Sequence, residues 1–328
     1  MSDEASDALR DCLRAMADQE LLVSVTAGTA PTGWGASTTS SIGLEKVFVK
    51  RLPLTDIETA HPYSTRNHFE LPTFYSYGVG SAGFGAWREL AALQAMSGVR
   101  GFPVHLHHRV MLRSSAPRSL PWSETEYVDY WGGSPAVGRY LRARNSATQE
   151  LWIVLEHAGS RADLWLAQNP EGVNEVLGQV FAAIAELRTR HVVHFDAHMG
   201  NIVTDGDNCR LVDFGLAMSA DMELSSNEQK FLDGHDYYDY GVALAHLGMM
   251  LAVTLGEEPS SQMLRHHLDE LETLNGRCPP ALLGALDRYR HPVQYMAHFF
   301  ERIRQPDKHS TYNDQVFAEL LLECGVIA

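Results

Sequence analysis

Cysteine is scarce in this 328-residue chain, with four in all. Cys12, Cys209, Cys278 and Cys324 lie far apart and none forms a C-x-x-C pair. This argues against a disulfide framework or a cysteine-based zinc site, and a reducing cytoplasm is the expected setting. Basic residues are also few, 26 Lys and Arg against 41 Asp and Glu, for a net charge of −15. A surface that acidic disfavours broad electrostatic binding to nucleic acid or to an anionic membrane, while leaving room for a local basic pocket around a phosphate. Long hydrophobic runs are missing too. The longest uncharged apolar stretch, GVALAHLGMMLAVTLG from Gly241 to Gly256, is 16 residues with a histidine inside. It falls short of the roughly 20 needed to span a bilayer and reads as a buried core helix. The opening MSDEASDALRDCLRAM is acidic and lacks the apolar core of a signal peptide. No nucleic-acid and no membrane partner is expected.

What is present is an ordinary globular composition, 45% hydrophobic, in a chain long enough for about two domains or lobes. The patterning changes along the chain. Residues 4–20 read as an amphipathic helix and Leu21–Val25 as a strand. A small-residue loop follows to Gly43, and Val47–Lys50 resumes strand character that Pro53 should end. Residues 55–82 look irregular, Trp87–Met96 helical, and Phe102–Leu112 extended. Residues 113–148, with GGSP inside, read as an insertion loop. Leu151–Leu155 (LWIVL) is a continuous apolar run expected of a buried strand. Beyond it, Val173–Arg190 carries a 3.6-residue apolar stripe, and the remainder is mostly helical apart from a hairpin at 202–212. The seam lies near 156–160. His105, His107 and His108 have no acidic or cysteine companion and read as a wet strand face.

The strongest chemical signal is His194-Phe195-Asp196-Ala197-His198-Met199-Gly200-Asn201, followed across the hairpin by Asp213-Phe214-Gly215. Phosphoryl transfer needs a carboxylate beside the accepting hydroxyl. It also needs an amide oxygen and a second carboxylate to hold the metal that neutralises the phosphates. Asp196 suits the first role, and Asn201 and Asp213 suit the second.

With H-x-D-x-H-x-x-N and D-F-G in place, the sequence resembles the protein-kinase-like superfamily, which includes protein kinases, aminoglycoside phosphotransferases and choline-kinase-like enzymes. VFVKRLPLTD and LPTFYSYGVGSAGFGAWREL further resemble a bacterial group within it. The resemblance implies an α+β, two-lobed fold. A small antiparallel-sheet N-lobe would occupy residues 1–156 and a helical C-lobe residues 157–328, with ATP and Mg²⁺ in the cleft. Under it, Lys50 matches the strand lysine that meets the phosphates, with Lys46 as rival, and Glu89 matches the helix glutamate that pairs with that lysine. Gly33 and Gly35, with Gly28, would cover the phosphates. Glu156 and His157 would form the hinge at adenine. Asp163 would reach the ribose or else cap a helix. Asp196, His198, Asn201 and Asp213 would be catalytic, with Asn201 and Asp213 on the metal. Asp236 would prop the catalytic loop.

Three departures from protein kinases bear on the acceptor. His198 replaces a lysine, Phe195 replaces the arginine of H-R-D, and no A-P-E follows within the 23 residues from Asp213 to Asp236. A small-molecule acceptor is expected, with the acidic charge suiting an amino sugar or a basic peptide antibiotic. An atypical protein Ser/Thr kinase and a nucleotide-binding pseudokinase stay open as alternatives.

Overall fold

The computed structural model describes residues 3–26, 36–114, 123–305, 308 and 312–327. Two helices lead, α1 (Asp3–Ala15) and α2 (Asp18–Thr26). Strands β1 (Ala36–Ile42) and β2 (Glu45–Leu54) come next, then α3 (Asp56–Ala60), a 3-10 turn at Thr73–Tyr77 and α4 (Ala86–Met96). Strand β3 (His105–Leu112), α5 (Glu124–Tyr130), α6 (Pro135–Ser146) and β4 (Gln149–Glu156) complete the sheet region. The four strands form one antiparallel sheet in the order β1-β2-β4-β3.

Period-two alternation decides what each face of this sheet meets. Val47, Val49, Trp152 and Val154 point to one side and bury against Leu9, Leu13, Leu21 and Val25 of α1 and α2. Leu52, Leu151, Ile153 and Leu155 point to the other and join the main core beneath α4. β4 is therefore covered on both faces, which is why LWIVL shows no polar alternation. Lys50 shares the α4 side.

Several expectations are corrected here. Leu21–Val25 is helical: its Leu21 and Val25 stand one helical turn apart and both pack on the sheet, while Asp18 and Glu20 occupy the favourable first turn. Residues 4–20 accordingly span two helices. Pro53 does not end β2, which runs on to Leu54 with Pro53 opposite Glu150 of β4; among the described residues β1 pairs with β2 only as far as Arg51. The described part of residues 113–148 contains two helices. Ser123 and Glu126 form a capping box for α5, and Pro135 opens α6, whose Val137, Tyr140, Leu141 and Arg144 bury one face. The stretch 55–82 holds α3, capped reciprocally by Thr55 and Glu58. A bulge after His105 breaks the alternation in β3, so the His105 and His108 rings come within 5.4 Å.

After β4 the chain turns helical around short strands. These are β5 (Ser160–Arg161), α7 (Ala162–Gln168), α8 (Val173–Thr189), β6 (Val192–Val193), β7 (Ile202–Thr204), β8 (Cys209–Leu211) and β9 (Met218–Ser219). Helices α9 (Ser226–Asp233), α10 (Tyr238–Leu255), α11 (Ser261–Asp269), α12 (Pro280–Arg288), α13 (Arg290–Ile303) and α14 (Asp314–Glu323) finish the chain. The apolar run of α10 is mostly buried by α8, α12 and α13, as expected of a core helix. The α+β class with an antiparallel sheet followed by helices is the kinase-like arrangement.

Candidate active site

The loop between β6 and β7 carries Asp196, and its shape is set from below by α10. Asp239, in the first turn of that helix and 2% exposed, accepts the N–H groups of His194 at 2.6 Å and Phe195 at 2.8 Å. This corrects the sequence expectation for Asp236. Asp236 lies three residues earlier and instead accepts from Nε and one terminal nitrogen of Arg188, both at Oδ2. Burial, partly opposed by the two N–H donors, raises the Asp239 carboxyl to about 7.

His194 adds a second support. Its Nε2 lies 3.1 Å from the Val212 carbonyl, which can only accept, so Nε2 carries the proton and Nδ1 receives the Asp196 N–H. Burial pushes this imidazole down to about 4, consistent with that neutral tautomer. Phe195 sits at φ +63°, with its ring buried among Phe231, His235 and Tyr238. No cation stands where H-R-D places one.

The Asp196 carboxylate is oriented by Asn201, whose Nδ2 donates to Oδ2 at 2.8 Å and to the Asp196 carbonyl at 3.0 Å. The amide oxygen of Asn201 makes no hydrogen bond among the described residues. Burial, only partly offset by nearby His198, raises Asp196 to about 6. His198 Nε2 is 3.7 Å from Asp196 Oδ1, too long for a hydrogen bond, while its Nδ1 accepts the Gly200 N–H at 3.0 Å.

Lys50 reaches in from β2. Its Nζ lies 2.7 Å from Asp213 Oδ1 and 2.5 Å from Glu89 Oε1, so strand, helix and D-F-G loop meet at one ammonium. Burial disfavours the charge on Lys50, but the two carboxylates outweigh it and raise its pKa. Burial likewise works against ionised Asp213, and Lys50 overrides it to hold that carboxyl below its usual range. Although walled in by protein, the Asp213 side chain keeps 45% of its surface open to the adjoining cavity. Its backbone is left-handed (φ +67°), a strained conformation for aspartate, while Phe214 buries against His194 and Phe102. Lys46 is exposed at the start of β2, so Lys50 is the strand lysine in the cleft.

Glu89 is placed by a device hidden in the stretch that reads as irregular. The Glu58 carboxylate caps α3 through one oxygen and accepts the Ala86 N–H at 2.7 Å through the other, so it caps α4 as well. Trp87 Nε1 donates to the Glu58 carbonyl, and Arg88 forms a buried ion pair with Glu228 of α9 at 2.7 Å. Between α3 and α4 runs Gly78-Val79-Gly80-Ser81-Ala82-Gly83-Phe84-Gly85. Its four glycines all have positive φ. At Gly78 a Cβ would stand 2.8 Å from Asp196 Oδ1, and at Gly83 one would stand 2.7 Å from the Gly215 carbonyl. The close approach of this strap to the Asp196 loop and to the D-F-G segment therefore requires glycine. Tyr127 of α5 clamps the strap from outside by donating to Gly80 O.

Two cavities flank Asp196. The smaller, about 240 Å³, is lined by Lys50, Glu89, Asn201, Asp213, the strap and Arg144 of α6. The larger, about 560 Å³, lies over α10, α11 and α13. Asp196 and Gly78 line both.

Not every expected residue joins them. Gly28, Gly33 and Gly35 lie outside the described residues, and the segment before them is a helix, not the strand expected. The Glu156 carboxylate is held by Arg210 and by the Val104 N–H. The N–H groups of Glu156 and His157 donate to Val104 O and Lys46 O. Asp163 pairs with Arg161 and lines the larger cavity, away from Lys50. The sequence reading passed over Glu58, Arg144, Asp239 and the strap. The strap did carry a signal, since Gly78, Gly80 and Gly83 fit G-x-G-x-x-G.

Residues 86–223 match the family model described as APH, phosphotransferase enzyme family, which belongs to the protein-kinase-like superfamily. Comparison with curated proteins finds no match.

Proposed function

We propose that this protein-kinase-like phosphotransferase moves the γ-phosphoryl group of MgATP to a hydroxyl of a small molecule. The observation that carries the reading is the position of Asp196, in the wall between a cavity built around Lys50 and Asp213 and a second, larger one. Phosphates would lie in the first and the acceptor in the second. Asp196 takes the hydroxyl proton as the acceptor oxygen bonds to the γ-phosphorus. The bond from that phosphorus to the β–γ bridging oxygen breaks, ADP leaves with the electron pair, and the proton passes from Asp196 to solvent. A carboxyl raised to about 6 suits a base working near neutral pH.

Asp213, with its open carboxylate edge, and Asn201, with its amide oxygen, have the hard oxygen donors that Mg²⁺ prefers, and they are the residues that would hold it. The ion supplies charge neutralisation on the phosphate oxygens. Lys50, fixed between two carboxylates, positions the phosphates. That complete set speaks against a pseudokinase.

The segment after D-F-G favours a small acceptor over a protein. Its Leu216, Ala217, Met218 and Met222 are buried, and the exposed Glu223 fastens it to the stretch before α4, accepting the Thr65 N–H at 2.9 Å and the Ser64 hydroxyl at 2.7 Å. Calorimetric titration with ATP tests the reading. Wild type should bind ATP in a Mg²⁺-dependent way, and Asp213→Asn should bind it more weakly while remaining folded. Affinity that ignores both the metal and Asp213 would contradict the assignment.

A further inference from the structure

We infer that the acceptor is an uncharged alcohol with an apolar body, seated on the face that α10, α11 and α13 present to Asp196. The inference rests on the phosphotransferase reading above and names its substrate class. The floor of the larger cavity is apolar. Val242, Ala245 and Met249 follow one another along a single face of α10, and Met263, Leu264 and Phe300 close over them from α11 and α13. At about 560 Å³ the space suits a ligand of drug-like size.

The polar lining is mostly committed. Arg161 is paired with Asp163, and Glu301 accepts the Ser261 hydroxyl. Among the described lining carboxylates that leaves Asp196, which the reaction itself uses, and Glu301, whose charge the Ser261 hydroxyl does not neutralise and which Arg304 of the same lining offsets in sign. A polycationic amino sugar would bring several ammonium groups into this space and also meet Arg161 and Arg304. Ammonium groups stripped of water without partners bind poorly, so the lining selects against such a ligand. The sequence-level expectation of a cationic acceptor drew on net charge, and this lining, with Asp163, Asp196 and Glu301 against Arg161 and Arg304, holds only one negative charge in excess.

One polar group suits a neutral ligand. His246 follows Ala245 in α10, faces the same cavity and makes no hydrogen bond among the described residues. Burial, with Arg161 and His198 nearby and only Asp163 opposing, pushes its imidazole down to about 4. A neutral imidazole offers one donor and one acceptor to a hydroxyl or ether oxygen. Gly78, in the same lining, puts no Cβ beside Asp196 Oδ1, where one would stand 2.8 Å away. The reacting hydroxyl thus meets Asp196 while the hydrocarbon lies on Met249 and Phe300.

The test is binding without nucleotide, using the uncharged fluorescent probe N-phenyl-1-naphthylamine, with farnesol (an isoprenoid alcohol) and kanamycin as competitors. Met249 is exposed at the cavity floor, so Met249→Asp and Met249→Leu should both fold, which thermal unfolding checks. Wild type should bind the probe and release it to farnesol but not to kanamycin. Met249→Asp should weaken probe and farnesol binding by about tenfold or more, and Met249→Leu should leave them unchanged. Release by kanamycin, failure of the probe to bind, or equal affinity in Met249→Asp would each overturn the inference. ATP titration of the same samples reports separately on the phosphotransferase reading, since none of these variants touches the Lys50 cavity.

Discussion

Replacing Asp239 with alanine removes the acceptor for two buried N–H groups, those of His194 and Phe195, and so tests how the catalytic loop is held. Each orphaned donor costs about 1–3 kcal/mol, so the variant should lose about 2–6 kcal/mol. That is a large share of the roughly 5–15 kcal/mol by which a domain is stable. The loss should depend on pH with a definite sign. Burial, against the pull of the two donors, raises this carboxyl from 3.8 to about 7 in the fold. A raised carboxyl pKa contributes stability below the unfolded value, and that contribution is lost as pH rises through the folded one. Wild type should therefore lead the variant most at about pH 5 and less at about pH 8. Urea unfolding followed by circular dichroism at both pH values measures the gap. A gap under about 1 kcal/mol at the lower pH, or one that widens as pH rises, would refute the reasoning.

Asp196 must be ionised to take a proton, so wild-type turnover should fall about tenfold per pH unit below about pH 6; a rate flat down to about pH 5 would exclude this base. The Arg88–Glu228 pair is almost fully buried. Glu228→Gln should cost about 3–5 kcal/mol in urea unfolding, whereas Arg88→Met with Glu228→Leu should cost less, because no charge is stranded. Arg144 lines the Lys50 cavity with a buried guanidinium, and Arg144→Met should weaken ATP binding by about tenfold in calorimetry; unchanged affinity would leave it a packing residue only. With Lys50 already paired to Glu89 and α4 tied down by Glu58 and Arg88, turnover should need no phosphorylation. Protein shown by mass spectrometry to be unmodified should be fully active, and strict dependence on a phosphate after Gly215 would contradict this.

That the Asp196 loop and D-F-G meet at one site was legible because phosphoryl-transfer chemistry demands fixed residue types at short separations. LWIVL and the run in α10 were legible because burial on all sides leaves no polar alternation. LLVSV was misread because a short apolar run fits a strand or a helix equally well, and what makes it helical is its packing on the outer face of the sheet. Asp236 and Asp239 share one motif, and the start of α10 between them decides their roles: Asp236, ahead of the helix, meets Arg188, and Asp239, in its first turn, meets the N–H groups of His194 and Phe195. Residues 113–148 looked loop-like because Pro and Gly-Gly punctuate them, yet Ser123 with Glu126 was a capping-box signal within them. Thr55 with Glu58 was another in 55–82, and Glu58 turns out to hold the helix that carries Glu89. The character of the larger cavity was not legible at all, since α10, α11 and α13 are brought together only by folding.

The central claim is that Asp196 serves the acceptor side of a site whose other side holds the phosphates. Single-turnover phosphoryl transfer to the alcohol that wild type phosphorylates, measured beside equilibrium ATP binding for wild type and Asp196→Asn, tests it most directly. Transfer should fall by roughly 10²–10⁴-fold, with ATP affinity nearly unchanged, because Lys50, Glu89 and Asp213 stay in place. Near-wild-type transfer, or ATP affinity that falls as far as the rate, would contradict the account.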